Sequence, residues 1–164
     1  MNKRRSVEQP TWQAQPARPS TQARVVFWIS AINGLCSVFF GGLMMLFPVN
    51  TPLGLAALQG AMGNFPFQDL FFQDLFWSGA ALVLCNGSVS LLATVAYLKK
   101  ADSFAKLSLI AGGLLVAWCV LESIYLPNPA AIFYGCVGVA QIALSIYLAN
   151  RLRWRRKRQA DGSN

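Results

Sequence analysis

The chain has 164 residues, of which 55% are hydrophobic and 12% charged, with a formal net charge of +8 and no histidine. A water-soluble domain carries about 25% charged residues, so a soluble globular enzyme is excluded for want of polar surface, and the missing histidine removes the commonest general base and metal ligand. The expected solvent is lipid, and the expected class is an all-α membrane four-helix bundle.

Residues 1–24 hold Lys3, Arg4, Arg5, Arg18 and Arg24, with Pro10, Pro16 and Pro19 among Gln, Ser and Thr, which predicts a disordered basic tail. A bilayer core about 30 Å thick is crossed by roughly 20 apolar residues in a helix. Four segments meet that requirement: residues 25–47, 70–98, 107–126 and 130–149. Residues 48–69 connect the first two, and Thr51 followed by Pro52 suggests a short surface helix there. The second helix is expected to start ahead of its apolar run, with Asn64 as cap and Pro66 in the first turn, so that it continues unbroken to Leu98. Pro127, Asn128 and Pro129 fold spans three and four into an antiparallel hairpin, because each proline disfavours helix at the residue before it. Residues 25–150 therefore form the membrane domain, and residues 151–164 a second basic tail.

Lys and Arg accumulate in cytoplasmic segments beside span ends. Every base of the chain falls in the amino tail, in the turn after span two (Lys99, Lys100, Lys106), or in the carboxyl tail (Arg151, Arg153, Arg155, Arg156, Lys157, Arg158). With an even number of spans these segments share one side, so both termini are expected in the cytoplasm of a multi-pass inner-membrane protein. The carboxyl cluster surrounds Trp154 and has the look of a nucleic-acid patch. Directly after a span, its expected partner is the anionic headgroup layer and not nucleic acid.

Small residues mark where membrane helices approach one another. Ser30, Gly34, Ser37 and Gly41 form one stripe of span one, and Ala131, Gly135, Gly138 and Ser145 lie on one broad side of span four. Cys36, Cys85, Cys119 and Cys136 all fall inside spans without a Cys-x-x-Cys pair, which reads as small buried hydrophobes. No ligand spacing for a metal and no motif for a cofactor emerges.

An ionisable residue inside a span is by default a site. Within the apolar runs, the second of which begins at Leu75 just after Asp74, Glu122 is the only one, about 6 Å inside the end of span three by helix rise. Trp118 and Tyr125 share its face, one turn to either side. Asn86 in span two and Gln141 in span four lie near mid-depth, and Asn33 lies in span one. If they face inward, Glu122 and Asn86 frame a polar pocket floored by Gln141 and walled by Trp118. The alternative is that the amides only join helices through hydrogen bonds, each contributing on average about 0.6 kcal/mol.

From residue 51 to residue 147 the chain resembles a family of small, functionally uncharacterised bacterial integral membrane proteins with four spans. The likeness is carried by Phe65-Pro66-Phe67-Gln68-Asp69, by Asn86-Gly87 and Lys99-Lys100, by the run from Gly112 to Trp118 ahead of Glu122, and by Gly138 with Gln141. It implies a bacterial inner-membrane protein and supplies no catalytic residue.

The leading functional reading is a non-enzymatic membrane protein, accessory to a membrane-protein partner or a homo-oligomer, or organising lipid. The alternative is a small transporter or channel with Glu122 as its intramembrane ionisable site. Small multidrug-resistance transporters also have four spans and a membrane acid, but theirs lies in the first span. A third reading, a lipid-modifying enzyme, requires Asp69, Asp74 and Glu122 to converge at one interface.

Overall fold

The computed structural model describes residues 20–49, 52, 74–125 and 129–161. The expectations placed on residues 1–19, on the surface helix after Thr51 and on the cap at Asn64 lie outside these residues. Four helices make up the described structure: α1 (Thr21–Leu46), α2 (Phe76–Leu98), α3 (Phe104–Tyr125) and α4 (Pro129–Asp161). Each is long and apolar enough to cross a membrane, α4 over Pro129–Leu152.

The ends differ from the hydropathy boundaries, and local hydrogen bonds explain how. Helix α1 begins four residues before the expected span because the Ser20 side chain accepts from the Ala23 N–H and caps it. Thr21 to Arg24 are thus helical and not part of a disordered tail. At the other end Phe47 donates to the Leu43 carbonyl, and Pro48 blocks further helix.

The second helix, expected unbroken from Pro66, begins only at Phe76: Asp74 and Leu75 are not helical, and residues 66–73 lie outside the described residues. Asp74 Oδ1 accepts from the Phe76 N–H at 2.9 Å, and the Leu75 N–H donates to the Pro48 carbonyl at 3.2 Å. An amide bonded to Pro48 is not available to a preceding helical turn, so α2 starts at Phe76. The same bond ties the start of α2 to the end of α1.

Within α2, Leu82–Gly87 forms a π-helical turn between the α-helical stretches Phe76–Ala81 and Ser88–Leu98. The helix closes in a Schellman motif: Ala101 N–H donates to the Ala96 carbonyl and Lys100 N–H to the Tyr97 carbonyl. The motif's left-handed position, usually glycine, is Lys100 at φ 53°. Helix α4 opens on Pro129, whose fixed φ and missing N–H suit a first helical position. It then runs through the basic segment to Asp161 instead of ending with the apolar residues.

Two glycine seams pair the helices. Positions facing each other across α1 and α2 are Gly34 with Leu91, Val38 with Gly87, and Gly41 with Gly79 and Val83; as one number rises the other falls, so the pair is antiparallel. Across α3 and α4, Gly112 meets Gly138 and Ile142, Gly138 meets Val116, and Gly135 meets Cys119. Both stripes read from the sequence are therefore at helix contacts, where small residues let backbones approach. An up-down-up-down bundle results. One end carries Arg24, Lys99, Lys100, Lys106 and Arg151 and is called the basic end below. Val26, Ala105 and Leu148 form a core cluster there, with Phe104 and Leu144 against it. Phe27 stacks on Tyr97 at 4.6 Å, and Tyr97 meets Phe104 edge-on, which joins α1, α2 and α3 at the same level.

Most of each span's surface points outward and is apolar, including Trp28, Ile32, Leu35 and Phe39 on α1 and Ile132, Phe133 and Val139 on α4. Such continuous apolar exposure is the surface of a protein dissolved in hydrocarbon. The chain is an integral membrane protein with four spans.

Candidate functional site

The buried polar side chains lie along the bundle interior in an order set by helix rise. Gln141 on α4 is fully buried; its Nε2 donates to Ser30 Oγ on α1 at 3.1 Å and to the Ser108 carbonyl on α3 at 3.2 Å. Donation to a carbonyl fixes the carboxamide's orientation, because an oxygen there would meet an oxygen. Gln141 Oε1 is consequently the atom left without a partner, together with the buried hydroxyls of Ser108 and Ser145. On the other side of the bundle Asn33 Nδ2 donates to Ser90 Oγ at 3.0 Å, joining α1 to α2.

Asn86 lies one turn from Ser90, about 6 Å farther from the basic end. It sits inside the π turn, is fully buried, and neither its nitrogen nor its oxygen has a hydrogen-bond partner. π turns recur at functional sites, and an unpaired buried amide in a low-dielectric interior is unfavourable by about 1–3 kcal/mol. Exposed or half-buried hydroxyls behave differently: Ser88, Thr94 and Ser123 each donate to the carbonyl of the residue four positions earlier, on Leu84, Ser90 and Cys119. A hydroxyl folded back on its own helix needs no neighbour in lipid.

The pocket expected around Glu122 is not drawn together by hydrogen bonds. Gln141 is bonded at the level of Ser108, and Glu122 lies about 21 Å farther along α3. Asn86 bonds to nothing, Glu122 included. Glu122 is half-buried near the end of α3 opposite the basic one, and Trp118, one turn away, is half-buried as well. Of the residues singled out, Asn86 and Gln141 are interior, while Glu122 and Trp118 form a separate pair near the far end. Asp74 lies at the start of α2, and Asp69 is outside the described residues.

The sequence reading missed Ser90 and Ser108 as partners. A signal was present for the first: Asn86 and Ser90 are four apart, as are Gln141 and Ser145, so each pair shares a helix face. Ser108 had no such companion. The cysteine expectation needs correction too. Cys119 is buried and Cys36 half-buried, but Cys85 and Cys136 are exposed free thiols on the outer surface. A cysteine is apolar enough to face lipid, so depth in a span does not imply burial against protein. Among the described residues no three Cys, Asp or Glu come together.

At the end of α4, Arg151, Leu152 and Trp154 are exposed. The side chains of Arg153, Arg155, Arg156, Lys157 and Arg158 lie outside the described set. Comparison with known proteins finds no matching family model, curated protein or solved structure. The family resemblance drawn from the sequence is thus left with its four apolar helices and no identified family.

Proposed function

We propose that the chain is a non-enzymatic four-span membrane protein that organises lipid or a membrane-protein partner, a second copy included. In this reading it resides in a bacterial inner membrane, with the basic end and both termini in the cytoplasm. The observation that carries it is the use made of the buried polar groups. Gln141 Nε2, Ser30, Asn33 Nδ2 and Ser90 are engaged with other helices, and groups that hold a bundle together are not free to bind or react, which leaves Gln141 Oε1 and the Asn86 amide as the interior amide atoms without such a role. The orientation is supported by the gathering of Arg24, Lys99, Lys100, Lys106 and Arg151 at one end. The exposed Arg151 beside exposed Trp154 suits an anionic headgroup layer.

Reporter fusions at Asn128 and Asn164 test the orientation, with Asn128 exported and Asn164 cytoplasmic as the expected result. Purified protein in liposomes tests the role: no proton or solute flux above empty vesicles is expected, and a partner or second copy in fixed stoichiometry in mild detergent. One observation favours the second reading, a small transporter or channel using Glu122: Asn86 is unpaired within a π turn. A clean monomer with flux that Glu122→Gln abolishes would replace the first reading by the second.

A further inference from the structure

Helices α1 and α4 form the thinnest of the seams between neighbouring helices, meeting at the Ser30–Gln141 bond and at the basic-end cluster. Beside that contact the two helices leave a groove of about 550 Å³ on the outer surface, with Arg24, Trp28, Ile32, Asn33, Phe133 and Val137 among its lining residues. We infer that this groove holds one acyl chain of an anionic phospholipid whose phosphate is bound by Arg24.

Three features select that occupant. The first is polarity along the groove. Its described walls are almost wholly aliphatic and aromatic, and among the described residues its only charge is Arg24, at the basic end beside Thr21. The other strongly polar lining residue, Asn33, has its Nδ2 committed to Ser90. A ligand that fits is apolar over its length and negative at one tip. The second is length. From Arg24 to Cys36 the groove follows α1 for about 18 Å, slightly more than half of a 30 Å hydrocarbon core, which is the depth of one leaflet.

The third is charge. A second copy lying the same way in the membrane would set its own Arg24, Lys99, Lys100, Lys106 and Arg151 against this end, five bases against five with Asp102 the one described acid in the turn among them. The described acid within the spans, Glu122, is near the opposite end. A phosphate satisfies Arg24 with charge-assisted hydrogen bonds, and the flat faces of Trp28 and Phe133 pack along methylenes. This inference deepens the lipid-organising reading and rests on the bundle lying in a bilayer, whichever side its basic end faces.

The test is native mass spectrometry of the full chain, delipidated in detergent and then offered phosphatidylglycerol or phosphatidylcholine of matched acyl chains. The wild type is expected to retain one phosphatidylglycerol in preference to phosphatidylcholine. Arg24→Gln lowers that preference at least about fivefold, the factor contributed by one base at a membrane surface. Ile32→Trp narrows the groove without altering charge and lowers retention of both lipids. Lys106→Gln, at the same end but outside the groove, leaves retention unchanged. Equal retention of the two lipids overturns the inference. So does equal loss in Arg24→Gln and Lys106→Gln, which indicates a diffuse basic surface, or a dimer that Ile32→Trp dissociates. Helix content by circular dichroism establishes that each variant is folded. A wild-type chain that stays in solution without detergent would instead defeat the membrane reading itself.

Discussion

Gly41 and Gly79 face each other across α1 and α2 so closely that a Cβ on Gly79 would stand 2.5 Å from the Gly41 carbonyl oxygen, and one on Gly41 would stand 2.7 Å from the Gly79 carbonyl oxygen. Neither neighbour is a flexible side-chain tip, so an added methyl must push backbones apart. Gly79→Ala and Gly41→Ala are each expected to destabilise the bundle by about 1–3 kcal/mol. Gly42 and Gly113 have open space at the same position. Alanine there is expected to be neutral or stabilising by up to about 1 kcal/mol through helix propensity. Unfolding by detergent titration separates the two pairs; equal effects at all four sites would contradict the seam.

Gln141→Leu removes bonds to both α1 and α3 and should destabilise by about 1 kcal/mol, within the range for interhelical hydrogen bonds in membranes. A double-mutant cycle of Gln141→Leu with Ser30→Ala should give a coupling of about 0.6 kcal/mol. A zero coupling would mean that the two side chains do not interact.

The two asparagines are expected to respond with opposite sign. Asn86→Leu replaces a buried amide without partners by an apolar side chain of the same branching and should stabilise by about 1–3 kcal/mol less the packing cost of its bulkier methyl groups. Asn33→Leu breaks the bond to Ser90, strands its hydroxyl, and should destabilise. Thermal midpoints in one detergent give both signs. A fall in stability with Asn86→Leu would show that its carboxamide has found a partner in the membrane.

Lys100 occupies the left-handed position that ends α2, where an L side chain is strained by about 1–2 kcal/mol and glycine is not. After allowance for glycine's larger entropy in the unfolded chain, Lys100→Gly should stabilise by about 0.5–1 kcal/mol. Lys99→Gly, at a residue without that conformation, should not. Chemical-denaturation midpoints of the two variants, compared with the wild type, read the difference.

Free thiols report which faces meet lipid. A membrane-soluble diazirine, whose photogenerated carbene inserts without needing a thiolate, should label Cys85 and Cys136 in the folded protein well before Cys119, which is 4% exposed. Uniform labelling rates would contradict the helix rotations described above.

The amino-acid sequence alone determined the number of spans, their approximate ends and the side of the bundle that collects the bases. These follow from a one-dimensional rule, in which a hydrocarbon slab of given thickness accepts an uninterrupted apolar stretch and repels charge. Glycine spacing on α1 and α4 was legible for a related reason, since close backbone approach requires small residues at helical period. Tertiary structure alone decided which way each helix is turned. Lipid tails are as apolar as leucine, so no hydrophobic gradient separates an inward from an outward face, and Cys85 reads like Cys119 until neighbours are in place. The bond from Gln141 to Ser30, 111 residues away in the chain, depends on α1 and α4 lying side by side. The start of α2 at Phe76 depends on the Pro48 carbonyl arriving at Leu75, and the π turn leaves Asn86 unpaired although its neighbour on the same face, Ser90, is bonded to Asn33. Local sequence does not encode a partner that another helix must deliver.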